Sequence, residues 1–187
     1  MAGRRDSSLS PYRRRVPVDQ IEIRLARPEE YAAAGAVTAL AYHEFAEEGD
    51  DGWSWYLEHL ADVGDRAART TVLVAVASGL LVGTATLELE GRVEPERARP
   101  LPADEAHIRM VGVHPDHRRQ GVARRLVLEC IEVSRRRGKR RLTLETQPSM
   151  SAAQALYDSL GFLKGATREV EEGFFLVTYE LRLDATP

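Results

Sequence analysis

From Ile21 the segment IEIRLAR alternates apolar and polar residues, the two-residue period of a half-buried strand. Pro28 then opens an alanine-rich stretch predicted to be helical through about Phe45. GWSWYLEHL predicts a second, short helix, and TTVLVAVASGLLVGTATLELE reads as two β-rich runs, near 71–77 and 80–89, divided by a Ser78-Gly79 turn. GRVEPERARPLPADE carries prolines at 95, 100 and 102 with little to bury, so a mobile loop is expected there. HIRMVGV is the next strand. Beyond the turn HPDHRRQ, small or apolar residues at Ala123, Leu126, Val127, Cys130, Ile131 and Ser134 follow the three-and-four spacing of one buried helical face, and Gly138 stops the helix. Arginines 124, 125 and 135–137 mostly fall off that face. RLTLETQ predicts a strand, Ser151 and Gln154 a capping box for a helix ending at Gly161, and FLKGATREV with FFLVTYELRL a closing hairpin around Glu172-Gly173. Strands alternating with helices and then a hairpin indicate an α/β domain on a mixed sheet.

The chain has 187 residues, 43% of them hydrophobic, which suits one domain over 19–184. The arginine- and serine-rich segment 1–18 has little to bury and is expected to be a disordered basic tail. One cysteine, Cys130, excludes a disulfide framework or a thiolate metal cluster within one chain and suits a reducing, cytoplasmic setting. No apolar run reaches the roughly 18 residues of a membrane span, so no membrane partner is expected. His43, His59 and the HPDH turn lack recognisable metal-ligand spacing, so no metal is expected either.

Charge is unevenly distributed. Residues 114–141 hold ten Lys or Arg against three acids, a balance of +7 that leaves −10 for the rest of the chain, whereas 41–65 hold eight acids and no Lys or Arg. Either both zones are solvated surface, or one receives an anion and the other a cation. The turn RRQGVARRL lies between a strand and a helix. Gly121 admits close backbone approach, and a helix start presents unpaired N–H groups and the positive end of the macrodipole, a setting suited to phosphate. The turn lacks the pattern of a P-loop and the glycines of a dinucleotide fingerprint.

VGVHPDHRRQGVARRLV resembles the acyl-CoA signature of the GNAT superfamily of N-acetyltransferases, Gln/Arg-x-x-Gly-x-Gly/Ala, filled here by Arg118, Arg119, Gln120, Gly121, Val122 and Ala123. Downstream, AAQALYDSLGF is similar to that family's Ala-x-x-Leu-Tyr-x-x-x-Gly-Phe segment, with Ala153, Leu156, Tyr157, Gly161 and Phe162. The resemblance covers about 21–183. It implies a GNAT-like acyl-CoA N-acyltransferase fold, with helices on both faces of a mixed sheet splayed open between the fourth and fifth strands. It also implies that Val111 and Val113 hydrogen-bond a pantetheine arm through their backbone, and that amides from Arg119 to Ala123 hold the pyrophosphate of acetyl-CoA. Met150 stands where many members carry a cofactor-contacting asparagine.

Acetyl transfer to an amine needs a neutral nitrogen, stabilisation of the developing oxyanion and a proton for the departing thiolate. The resemblance makes Tyr157 the candidate acid, with a core tyrosine as the alternative, and assigns the oxyanion to a backbone amide near Val111. Fourteen residues before Gly121, where several relatives carry a glutamate, stands His107, whose ordinary pKa near 6.5 suits a base. Glu105, Glu88 and Glu145 are its rivals, and a water chain without a single base is a further alternative. In the family the two early helices wall the acceptor site, so Glu44, Glu47, Glu48, Asp50 and Asp51 are candidates to attract a cationic amine, and Trp53, Trp55 or Tyr56 to cover it. These features together predict acetyl transfer from acetyl-CoA directly to a primary amine of a small molecule or protein, with a homodimer as the family default. A degenerate acyl-CoA-binding regulatory module is the alternative. A nucleic-acid partner is not expected, because the basic stretch lacks interleaved aromatics and the remainder is acidic.

Overall fold

Seven strands hydrogen-bond into one sheet: β1 (Ile21–Leu25), β2 (Thr71–Ala77), β3 (Leu80–Glu88), β4 (Glu105–Val113), β5 (Arg141–Thr146), β6 (Leu163–Glu171) and β7 (Phe174–Arg182), in the order β1-β2-β3-β4-β5-β7-β6. Neighbours are antiparallel except β4 and β5, which are parallel. The computed structural model describes residues 17, 20–45, 51–94, 100–171 and 173–184. The expected basic tail, the middle of the proline-bearing loop and Glu47, Glu48 and Asp50 lie outside them. The helices are α1 (Tyr31–Tyr42), α2 (Asp51–Ala61), α3 (Val63–Ala67), α4 (Val122–Arg136) and α5 (Ser151–Ser159).

The unbroken apolar run of β2 is explained by burial on both faces. Val72 and Val74 pack with Ala34 and Val37 of α1 and Val63 of α3, whereas Leu73, Ala75 and Ala77 join the larger cluster around Leu126, Val127, Cys130 and Ile131 of α4. The two-residue period of the strand thus sorts successive side chains to opposite helical layers. The face read from the spacing of α4 is the buried one, except that Val122 rather than Ala123 is its first fully buried member.

The β4–β5 junction positions the site. Only four pairs join these strands, from Glu105↔Arg141 to Ile108↔Leu144, and beyond them the strands part. This is the splay between fourth and fifth strands. β4 stays on β3 but gains a residue there, because Thr86 pairs with Arg109 and Thr84 with Gly112, so that Ala85 faces both Met110 and Val111. Met110 takes the left-handed conformation at φ +55°, which costs a non-glycine residue about 1 kcal/mol or more. Its side chain is buried with Leu60 and Val93, which offsets the strain. α1 lies close over this bulge: a Cβ on Gly112 would stand 3.2 Å from Ala41 Cβ and 3.3 Å from Thr38 Cα.

Several expectations are corrected. The Ser151–Gln154 capping box is not formed. Met150 is the N-cap, Ser151 is already helical, and Gln154 Nε2 donates instead to the carbonyls of Pro148 (2.8 Å) and Gln147 (3.3 Å). The loop after β3 begins pinned rather than loose: Val93 is buried, and its N–H donates to Glu88 Oε1 at 2.6 Å. α3, unpredicted, is capped by Asp62 accepting from the Asp65 N–H.

Gly35 sets how closely α1 and α2 approach, since a Cβ there would lie 2.0 Å from the Ala61 carbonyl oxygen, a backbone atom that cannot rotate away. Gly35→Ala is expected to destabilise the fold by about 1–3 kcal/mol, the cost of overpacking. A lower urea midpoint with unchanged slope is the outcome to look for.

Candidate active site

After β4, a short 3-10 turn at Pro115–His117 leads to Arg118 and then to two left-handed residues, Arg119 (φ +60°) and Gly121 (φ +78°), before α4 starts. Gly121 is the N-cap and has no side chain with which to cap, so the first amides of α4 keep their N–H groups directed out of the helix end. Left-handed residues interleaved in a turn gather backbone N–H groups into an anion-binding concavity, and the macrodipole adds positive potential. This geometry fits a diphosphate. An open cleft of about 2130 Å³ runs from this turn through the splay to Tyr157 and the hairpin β6–β7.

The floor of the cleft is β4. The His114 N–H donates to the Val82 carbonyl of β3 at 2.9 Å, and alternation along an extended strand turns the N–H of Gly112 the same way and those of Val113 and Val111 toward the parted β5. A linear ligand in the splay would therefore meet unpaired backbone groups, which fits a pantetheine arm carrying amides of its own.

The basic residues divide. Arg118 donates to Glu44 Oε2 at 2.6 Å and to the Ala41 carbonyl at 3.1 Å, tying the turn to the end of α1. Glu44, expected among the carboxylates for a cationic acceptor, is thus engaged by an arginine of the turn that opens α4. Gln120 donates to the Asp116 carbonyl, and Arg124 to Ser159 Oγ of the helix that carries Tyr157. Arg119 lines the cleft and makes no ion pair among the described residues.

Tyr157 is buried on α5, with ring centroids 5.8 Å from Phe162 and 5.6 Å from Tyr179. Burial raises its phenol well above the ordinary value, so it is protonated at neutral pH. Its hydroxyl has no hydrogen-bond partner among the described residues, and the side chain lines the cleft. Cys130 is buried on α4 in the same apolar cluster as Tyr157, where burial pushes its thiol up and leaves it un-ionised.

Elsewhere along the cleft Trp53 meets Tyr56 edge-on at 5.6 Å, Tyr56 meets Tyr42 at 6.3 Å and Tyr42 meets Phe45 at 6.4 Å, an aromatic wall at the junction of α1 and α2. Trp55 is half exposed at 52% and stacks on His59 at 5.5 Å. Tyr42, Phe45 and the Arg109–Glu94 pair (2.9 Å) beneath them have no sequence signature, since an aromatic on a helix and a charge on a strand are both common. The candidate bases differ in freedom. Glu88 is fully buried and fixed by the Val93 N–H and by Arg92 at 2.8 Å. Glu145 is held by Nε and Nη2 of Arg168, at 2.8 and 2.9 Å. His107 lies on β4 at the cleft, only 8% exposed, with Nδ1 2.8 Å from Thr143 Oγ1. Among the described residues no helix is long and apolar enough to cross a membrane, and no cluster of three or more His, Cys, Asp or Glu is placed to hold a metal.

A sequence model of the acetyltransferase (GNAT) family matches residues 35–162. A 65-residue stretch is 43% identical to the ribosomal protein bS18-alanine N-acetyltransferase of Escherichia coli K12, covering 35% of this chain and 44% of that protein. A 58-residue stretch is 33% identical to N-alpha-acetyltransferase 30 of Schizosaccharomyces pombe, covering 31% and 39%. The chain thus aligns with less than half the length of these relatives. Among solved structures, the E. coli ribosomal-protein-S18-alanine N-acetyltransferase superposes with a TM-score of 0.64 at 23% identity, and a Salmonella typhimurium acetyltransferase with its cofactor acetyl-CoA at 0.61 and 22%. Each covers 89% of this chain and 96% of the other. At such identities the likeness is one of fold.

Burial is the main cause that pushes His107 down to about 3, with the charges of Arg92, Arg109 and Arg168 acting in the same direction. In the unfolded chain it titrates near 6.5. The folded state therefore binds fewer protons between about pH 6.5 and 3, so this contribution to stability is complete above pH 6.5 and is lost as pH falls through that window. Between pH 6.5 and 5, the wild-type melting temperature is expected to fall more steeply than that of His107→Gln. Parallel melting curves across this range would contradict it.

Proposed function

The chain belongs to the acetyltransferase (GNAT) family, and from that membership we propose that it transfers acetyl from acetyl-CoA directly to a primary amine, with a protein α-amine as the acceptor class. The observation that carries the reading is the continuity of three features: an uncapped helix start at Gly121, a strand edge opened by the β4–β5 splay, and, in the same cleft, a protonated phenol at Tyr157 without a hydrogen-bond partner among the described residues. The stretch that is 43% identical to an enzyme named for an alanine of a ribosomal protein supports the choice of acceptor class.

Bound acetyl-CoA would supply the thioester and its thiolate leaving group. In this reading the amides of Arg119–Ala123, with the side chain of Arg119, hold the diphosphate, and Val113 and Val111 align the arm through their backbone. The N–H groups at the Met110–Val111 bulge face the carbonyl oxygen where negative charge develops. Fixed backbone donors are effective there because they need no reorganisation. Tyr157 gives its proton to the departing sulfur, and His107, neutral under working conditions, faces the amine. The aromatic wall of Tyr42, Tyr56 and Trp53 excludes water and packs on the residue bearing the amine. Acetyl passes directly between the two substrates, since the one thiol is fully buried and un-ionised.

Two variants separate binding from chemistry. Gly121→Val places a β-branched residue at φ +78° and a side chain where the diphosphate approaches, so acetyl-CoA affinity by calorimetry is expected to fall about tenfold or more. Tyr157→Phe is expected to keep that affinity while turnover with acetyl-CoA and a peptide bearing a free N-terminal alanine falls by about 10²-fold, the scale of one lost proton donor. Tight coenzyme binding by the wild type with no transfer to any amine of a broad panel would instead identify an acyl-CoA-binding module.

A further inference from the structure

His107 and Glu105 stand two residues apart on β4, and Thr143 of β5 lies directly opposite His107 in the parallel register, one pair before the strands separate. Thr143 Oγ1 is 2.8 Å from His107 Nδ1 and 2.8 Å from Glu105 Oε1, and 3.3 Å from the Ala106 carbonyl. A hydroxyl has one proton to give. The Glu105 carboxylate is as near as His107 Nδ1 and, held as an ion pair with Arg141, is the stronger acceptor, so the Thr143 proton lies toward Glu105. What remains on the Thr143 oxygen is a lone pair, and His107 Nδ1 must be the donor to it. His107 is thereby fixed as the Nδ1–H tautomer, with Nε2 bearing the lone pair and making no hydrogen bond among the described residues, on a side chain that lines the cleft. Glu105 is itself oriented: its other oxygen pairs with Arg141, and the carboxylate reaches the cleft rim with 13% of its side chain exposed.

We propose that Thr143 and Glu105 are positioning residues that act through His107, forming a proton relay from the acceptor nitrogen at His107 Nε2 to the Glu105 carboxylate at the rim of the cleft. This rests on the acetyl-transfer reading above. As the nitrogen bonds to the acetyl carbon, its N–H bond breaks and the proton goes to Nε2. Nδ1 releases its proton to the Thr143 oxygen, and the Thr143 proton passes to Glu105 Oε1. One proton has moved from nitrogen to carboxylate, and His107 ends as the other neutral tautomer. The imidazole never has to hold a positive charge, which its surroundings oppose: Arg92 from the turn after β3, Arg109 from its own strand and Arg168 from β6 all bear on it, while Glu88, Glu94 and Glu145 are each taken up by one of those arginines. The relay resets when Nε2 gives its proton to water in the emptied cleft while Glu105 and Thr143 pass theirs back to Nδ1, which restores the starting tautomer and leaves one proton in water for each amine acetylated. A histidine acting alone would make Thr143 and Glu105 dispensable. In the relay both are required.

The test uses the full chain with acetyl-CoA and a peptide bearing a free N-terminal alanine. Thr143→Val, nearly isosteric, and Glu105→Gln, which still accepts a hydrogen bond but cannot take the proton, are each expected to lower kcat by about 10²-fold with acetyl-CoA affinity within about twofold of wild type. Thr143→Ser, which restores the hydroxyl, is expected to return kcat to within about threefold. Wild-type kcat in either Thr143→Val or Glu105→Gln, or no recovery with Ser, overturns the relay. Glu105→Gln alters a rim side chain and decides the matter even where Thr143→Val fails to fold. Nitrogen-15 imidazole shifts of the coenzyme-free wild type provide a readout independent of turnover. His107 protonated on Nδ1 supports the relay, and His107 protonated on Nε2 overturns it, even where no amine is acetylated and the acetyl-transfer reading itself falls.

Discussion

The molecule depends on where one run of parallel pairing stops. β4 and β5 are joined over four residue pairs and then separate after Ile108 and Leu144. Each strand is secured on its other side, β4 by β3 and β5 by β7, so the edges opened by the separation need no covering strand to persist. Unpaired backbone groups are costly when buried and inexpensive when a cleft keeps them wet or ligated. The bulge at Met110 belongs to the same feature, because an added residue bends β4 and raises its twist at the level where its partner leaves.

Much of this is legible in the amino-acid sequence because periodicity and turn chemistry are local. The buried face of α4 follows from the spacing of Leu126, Val127, Cys130, Ile131 and Ser134, and the start of that helix from Gly121. The terminal hairpin follows from two β-rich runs around Gly173. The bulge is different in kind: the left-handed residue is a methionine, so no glycine marks it, and it is sustained by Leu60 and Val93, which come from distant parts of the chain. The capping box at Ser151 has the right spacing and does not form, because the carbonyls of Gln147 and Pro148 compete for the Gln154 amide. His107 and Glu105 read as rivals along a single strand. Only the register of β4 against β5 supplies Thr143 between them.

The uneven charge of the chain also resolves residue by residue. Arg135, Arg136, Arg137 and Arg140 each meet a surface carboxylate, pairs worth little individually, and these account for much of the basic excess as solvated surface. Arg118, Arg119 and Arg124 line the cleft. In the acidic zone Asp62 caps α3, Asp65 pairs with Arg69, and Glu44 pairs with Arg118. Composition therefore points to the right segments, and geometry decides which of their charges face a ligand.

Arg118 joins the turn that opens α4 to the end of α1, through the Ala41 carbonyl in its last turn and Glu44 in the 3-10 turn that follows. An anion that drew the guanidinium toward itself would release the carboxylate and unfasten the end of α1 next to the aromatic wall. Linked equilibria are reciprocal, so a second ligand that required the same opening would bind more tightly after the first, and the first more tightly after the second, by the same factor. Were each half of the cleft to hold a ligand, this one side-chain pair would couple the two occupancies, and the order of filling would depend on the protein as well as on its ligands.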